Sequence, residues 1–218
     1  MNKEYHKIEN IFERDMEGTK KLIEGTYRNP TVEYLKNCEW IFTEKIDGTN
    51  IRICWDGHRV SFKGRTDKAQ IPVDLLTRLE ELFGGDINEQ LFEQKFGDKE
   101  VTMYGEGYGV GIQAVGKDYL DHKDFILFDV LVGDTWLSQE SVEEIAKAFY
   151  VPTAPVVLKG TLPDAVEYIK TFPQSTIGTC EMEGVIGRPA YGIKDNTGKR
   201  IIVKIKCCDF KRKELSDV

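Results

Sequence analysis

Between residues 39 and 66, apolar side chains recur at every second position and glycine turns cut the pattern into short pieces, which commits the stretch to paired β-strands. Trp40, Phe42 and Ile46 fall on one side of the first piece, and Ile41, Thr43 and Lys45 on the other. Lys45 therefore faces away from the strongest core-facing residues. Asp47-Gly48 is expected to supply the positive-φ glycine of a hairpin turn, after which Asn50 to Trp55 restarts the alternation. Asp56-Gly57 gives a second hairpin signal before Arg59 to Phe62, so the stretch reads as an antiparallel meander. Lys45 then sits where two strands leave a groove, either as an exposed hairpin lysine or as a nucleophile.

The rest of the chain mixes helices with further strands. Leu75, Leu76, Leu79, Leu82 and Phe83 recur at helical spacing and stop at Gly84-Gly85. Ser138 can cap a helix whose apolar stripe is Val142, Ile145, Ala146 and Phe149, ending before Pro152, and a third helix is expected from Pro163 to Lys170. Strands are expected over Val101 to Glu106, Phe125 to Val132, Glu181 to Gly187 and Arg200 to Lys206. With no repeat or linker, the pattern predicts one α+β domain over residues 1–218, two antiparallel β-sheets flanked by helices around a groove.

Composition narrows the function classes. The N-terminus, Met1 to Glu17, lacks the apolar segment of a secretory signal, and no window reaches membrane-spanning length, so a cytoplasmic protein without a membrane partner is expected. Cys38, Cys54, Cys180, Cys207 and Cys208 lack the paired short spacings of a zinc site and read as reduced structural thiols. The net charge of -7 disfavours a nucleic-acid partner until its distribution is considered. Residues 194–213 carry Lys194, Lys199, Arg200, Lys204, Lys206, Lys211, Arg212 and Lys213 against Asp195 and Asp209, a local balance of +6. Such a run is either a solvated face or a surface for a polyanion.

Six motifs then occur in one order. They are Lys45-Ile46-Asp47-Gly48-Thr49-Asn50, Phe62-Lys63-Gly64-Arg65-Thr66, Tyr104-Gly105-Glu106-Gly107, Ile126-Leu127-Phe128-Asp129-Val130, Glu181-Met182-Glu183-Gly184-Val185-Ile186-Gly187-Arg188 and Val203-Lys204-Ile205-Lys206. The series resembles the covalent nucleotidyltransferases, polynucleotide ligases and mRNA capping enzymes. Asn50 stands where DNA ligases and capping enzymes usually carry arginine, and the Gly-Thr-Asn ending is similar to ATP-dependent RNA ligases of the RNA ligase 2 type.

The resemblance implies a fold, a reaction and a residue set. The fold is the ATP-grasp-like nucleotidyltransferase domain of ligases, its groove holding ATP. Lys45 would attack the α-phosphorus of ATP and expel pyrophosphate; AMP would pass to an RNA 5′-phosphate, and a 3′-hydroxyl would displace it to seal the strand. Lys45, Lys204 and Lys206 are the implied catalytic residues. ATP would be bound by Glu44, Lys45, Asn50, Arg65, Glu106, Phe128, Glu183, Lys204 and Lys206, with Mg²⁺, replaceable by Mn²⁺, on Glu183.

Residue chemistry agrees where it speaks. A lysine attacks only when neutral, and an ordinary lysine is less than about 0.1% neutral at pH 7. Burial and neighbouring cations disfavour the ammonium form. Lys204 and Lys206 are candidates for that influence, since alternation with Val203 and Ile205 puts both on one strand face. They could also stabilise charge on a pentacoordinate phosphate. Glu181 and Glu183 are expected to share a strand face, and the resemblance selects Glu183. Phe128 could stack on the purine or join the core with Ile126 and Val130. Asn50 could order a metal's water shell or tie down the hairpin, and Arg65 could contact phosphate or the RNA end. Only twelve residues follow Lys206, so no C-terminal OB or helical domain is expected, and a separate protein partner could supply end binding. The alternatives are a minimal ATP-dependent DNA ligase and a non-catalytic module that binds nucleic-acid ends.

Overall fold

A computed structural model describes residues 3–18 and 20–210. The chain begins with strands β1 (Glu9–Asn10), β2 (Phe12–Arg14) and β3 (Leu22–Tyr27), then helix α1 (Pro30–Tyr34) and strands β4 (Trp40–Glu44), β5 (Thr49–Trp55) and β6 (Val60–Gly64). Helices α2 (Val73–Phe83) and α3 (Gly85–Phe96), strand β7 (Val101–Gly109), helix α4 (Gly116–Tyr119), and strands β8 (Lys123–Val132) and β9 (Thr135–Trp136) follow. It closes with helix α5 (Gln139–Ala148), strand β10 (Val156–Gly160), helix α6 (Leu162–Lys170), and strands β11 (Gly184–Pro189) and β12 (Val203–Lys206). This is the mixed α+β architecture that the pattern predicts, with the two larger sheets falling one to each of two compact units.

The Lys45 unit comprises Lys7–Lys45 and the chain from Pro155 onward. Its main sheet runs β1-β12-β11-β4-β10, antiparallel except for the edge pair β1 and β12, which is parallel. A small β2–β3 ribbon accompanies it. The alternation in β4 holds for Trp40 and Phe42, which are fully buried, and for Ile41, which is only partly covered, but Thr43 on the other face is buried as well. Leu162, Ala165 and Ile169 of α6 join Trp40 and Phe42 in one core, and each large apolar side chain there contributes roughly 1.5–3 kcal/mol by leaving water. Thr161 and Asp164 form a reciprocal capping box at the start of α6, satisfying two backbone donors.

The Glu106 unit comprises Ile46–Ala154 with the N-terminal residues up to His6. Its sheet is ordered β6-β5-β7-β8-β9 and antiparallel throughout. Ile51, Ile53, Met103, Phe125 and Leu127 share a core with Leu75, Leu79 and Phe83 of α2. Ser138 caps α5 as expected. Helix α3 was not foreseen, because it starts within the glycine pair that ends α2, at Gly85, and buries only Phe92 completely. The second hairpin is present: Gly57 has φ +98, and Asp56 Oδ1 accepts from the amides of His58 and Arg59.

The first expected hairpin is absent. β4 pairs with β10 and β11, whereas β5 pairs with β6 and β7, so Asp47-Gly48 links two different sheets. Gly48 is not among the positive-φ glycines. Its lack of a side chain serves close approach instead, since a Cβ there would lie 2.3 Å from Gly107 O and 2.7 Å from Glu106 Cγ. A dipeptide that suits a hairpin turn cannot reveal which strands it separates.

Candidate active site

β4 ends at Glu44, and the antiparallel register sets Glu44 opposite Val185 of β11, so Lys45 follows opposite the start of that strand. The Lys45 amide donates to Gly184 O at 2.9 Å. Across β11 and β12, Gly184 pairs with Lys206 and Ile186 with Lys204. Three strand ends thus bring Lys45, Glu183 and Lys206 together. Gly184 permits the crossing, because a Cβ there would stand 2.1 Å from Ile205 O.

The side chains use that proximity. Glu183 accepts from Lys45 Nζ through Oε2 at 2.5 Å and from Lys206 Nζ through Oε1 at 2.6 Å. Burial alone would lower the Lys206 pKa, but the hydrogen bond and charge of Glu183 prevail and hold it above the ordinary lysine value. Lys204 behaves oppositely. Burial, then the charges of Lys206, Lys45 and Lys7, push it below the ordinary lysine value against a weaker pull from Glu183. Val203 and Ile205 are buried behind the two lysines, as strand alternation requires. Lys45, Lys204, Lys206 and Lys7 outnumber Glu183 and the nearby Asp209, a cationic patch suited to a phosphorylated ligand. Lys7 was not singled out by sequence, since it acquires this neighbourhood only through the parallel pairing of β1 with β12.

Glu183 and Glu181 do not share a strand face. β11 begins at Gly184, and the preceding residues form a folded loop in which Gln174 bridges Glu181, Ser175 N donates to Cys180 O, and Met182 N donates to Pro173 O. Glu44 anchors this loop. Its carboxylate is 1% exposed and accepts from Ser175 Oγ at 2.6 Å, Thr176 N at 2.9 Å and Thr176 Oγ1 at 2.5 Å. The Glu44 side chain is thus engaged by its own protein, and it shares the inward parity of Trp40 and Phe42.

The other candidates lie in the Glu106 unit. Asn50 pairs with Glu106, and Glu106 with Ile126, across β5, β7 and β8. Gly64 pairs with Ile51, so exposed Arg65 leaves β6 beside Asn50. Asn50 Oδ1 is buried without a hydrogen-bond partner among the described residues, so its acceptor capacity is unused. Phe128 occupies a bulge: Asp129 opposes Tyr104 and Leu127 opposes Gly105, leaving Phe128 unopposed. The extra residue reverses the alternation. Val130 therefore joins the core with Phe125 and Leu127, while half-buried Phe128 stays outside it, edge-on to Tyr5 with ring centroids 5.2 Å apart.

Lys194, Lys199, Arg200, Lys204 and Lys206 of the basic segment lie within the described residues, whereas Lys211, Arg212 and Lys213 lie outside them. All five cysteines are free thiols. Among the described residues there is no group of three or more His, Cys, Asp or Glu placed to hold a metal, and no helix is long and apolar enough to cross a membrane.

The RNA ligase family model matches residues 38–206, which includes every motif of the ordered series. The chain belongs to the RNA ligase family. Solved RNA ligases have the same fold. A Naegleria gruberi RNA ligase variant with ATP and Mn is 18% identical, with a TM-score of 0.62 over 81% of this chain and 51% of that one. Naegleria gruberi RNA ligase with PPi is 19% identical at a TM-score of 0.62, covering 81% of this chain and 52% of that one. An apo variant is 18% identical at 0.63, covering 83% and 53%. At such identities the likeness to these RNA ligases is one of fold, and this chain spans about half their length.

Proposed function

We propose that this chain is the adenylyltransferase domain of an ATP-dependent RNA ligase in which Lys45 becomes covalently adenylylated. The supporting observation is the convergence of Lys45, Lys206 and Glu183 at three strand ends, within a cationic patch completed by Lys204 and Lys7. Lys45 Nζ attacks the α-phosphorus of ATP, a P–N bond forms, the bond to the leaving oxygen breaks, and pyrophosphate departs. Attack requires the amine to part from Glu183 and lose a proton. Once Glu183 is engaged elsewhere and the proton has passed to water, the Lys45 amine can act as a nucleophile. The nearby ammoniums of Lys206 and Lys204 stabilise negative charge gathering on the phosphate oxygens.

Glu183 also fits a divalent cation. Mg²⁺ or Mn²⁺ would be held by Glu183, substrate phosphate oxygens and water, the mode Mg²⁺ prefers. Bound there, it would supply neutralisation of phosphate charge. Glu106 is assigned to the ribose hydroxyls, Asn50 to the ligand through its unpartnered oxygen, Phe128 to the purine ring and Arg65 to phosphate or the RNA end. Glu44 holds the site rather than the base.

Subsequent steps pass AMP from Lys45 to an RNA 5′-phosphate, breaking the P–N bond, and then join that phosphate to a 3′-hydroxyl with release of AMP, positioning and charge neutralisation providing most of the catalysis. Matched nicked duplexes test the substrate class. With ATP and Mg²⁺, the chain is expected to seal a nick ending in a 3′-ribonucleotide faster than an all-DNA nick, because a 2′-hydroxyl is the group that distinguishes them. Equal sealing of the DNA nick would favour a DNA ligase. Binding of the nick without AMP transfer would favour an end-binding module.

A further inference from the structure

We propose that Arg52 is a positioning residue that brackets the turn after β6 and thereby aims Arg65. The proposal rests on the role assigned to Arg65 above. Arg52 lies on β5 on the face opposite Ile51 and Ile53, and its side chain is 0% exposed. Its Nε donates to Gly64 O at 2.9 Å, and a terminal nitrogen donates to Asp67 Oδ1 at 2.8 Å. One rigid guanidinium therefore grips the chain on both sides of Arg65 and Thr66.

The turn is already tight. Ala69 N donates to Thr66 O at 3.1 Å, and a Cβ on Gly64 would meet Ala69 Cβ at 2.8 Å. Lys63 Nζ adds a contact to Asp67 Oδ1 at 3.4 Å. The Arg52 hydrogen bond, then the charge of Lys63, hold the Asp67 carboxyl below the usual carboxylate range, so the bracket is charged at neutral pH.

Fold stability gains little from the Asp67 arm of this arrangement. A buried arginine carries a desolvation penalty that an apolar side chain at a strand position avoids, and Asp67, 63% exposed, returns little of it. Holding a turn in one geometry does require it. Arginine's planar fork can bind two separated acceptors at fixed angles, which neither lysine nor an aliphatic residue can do.

Asp67→Ala and Arg65→Ala, singly and together in the full chain, test the proposal by nick-sealing kinetics with melting as a control. Asp67→Ala opens one arm of the bracket at an exposed position, so it is expected to melt within about 3 °C of wild type. It is expected to slow sealing at saturating RNA by at least about tenfold, the scale of a small misplacement of a reacting group. The double variant should be no slower than Arg65→Ala alone, because the bracket acts through that side chain. Arg52→Met should show the same non-additivity, and if it fails to fold the Asp67 cycle still decides. Arg65→Ala sealing at the wild-type rate would remove the Arg65 assignment itself. A slow Arg65→Ala beside an unaffected Asp67→Ala, or effects that multiply, would overturn the positioning role alone.

Discussion

Lys45→Ala is expected to abolish transfer of label from α-phosphate-labelled ATP to the protein, and with it the sealing of RNA that ends in a 5′-phosphate. No other side chain can take over, because Lys204 and Lys206 extend from β12 while Lys45 alone leaves the end of β4. Glu183 keeps its second partner, Lys206 at 2.6 Å, so the substitution strands no carboxylate and the variant should melt close to wild type. RNA supplied with AMP already on its 5′ end should still be joined. That step needs charge neutralisation from the lysine patch and no protein nucleophile. A gel assay with both substrates separates loss of the nucleophile from general collapse of the site.

Glu44→Ala should be the most damaging substitution among the remaining candidates, through structure rather than through contact with a nucleotide. It deletes a buried acceptor and leaves Ser175 Oγ, Thr176 N and Thr176 Oγ1 without the partner that orders them. The unpaired hydroxyl of buried Ser175 and the space left by the Glu44 side chain together cost about 2–4 kcal/mol, while the donors of exposed Thr176 can turn to water. For a chain of 218 residues, a loss of this size lowers the melting temperature by roughly 5–15 °C. The loop it anchors leads directly to Glu183, and Glu44 itself adjoins Lys45, so adenylylation should fall as well. Glu44→Gln keeps one acceptor oxygen, for Thr176, and turns the other position into a donor that the Ser175 hydroxyl can accept, so it should recover part of the stability. Calorimetry alongside the labelling assay checks both effects; wild-type melting of Glu44→Ala would show that the three hydrogen bonds do not hold the loop.

Much of this architecture was legible because β-strand alternation and helix capping are local signals. Trp40 and Phe42, Val203 and Ile205, Ser138, and the leucines of α2 all behave as their spacing requires. Failures occurred where sequence separation hides the partner. Gly48 suits a turn equally well inside one sheet or between two, and only the pairing of β4 with β11 decides. One bulge at Phe128 reverses the inward face of β8, and no residue type announces it. Inward parity of Glu44 beside Trp40 and Phe42 was readable and marked a carboxylate needing buried partners, yet those partners lie far along the chain at Ser175 and Thr176. Arg52 gave the same kind of signal, a cation on an apolar strand whose acceptors at Gly64 O and Asp67 lie beyond its own strand.

Peptide mass spectrometry of the wild-type chain after incubation with ATP and Mg²⁺ addresses the covalent step directly. The account predicts one adenylate, on the peptide containing Lys45, and an acid-labile linkage as a P–N bond requires. An adduct on Lys204, Lys206 or any other residue, or protein that remains unmodified while it seals RNA, would contradict it.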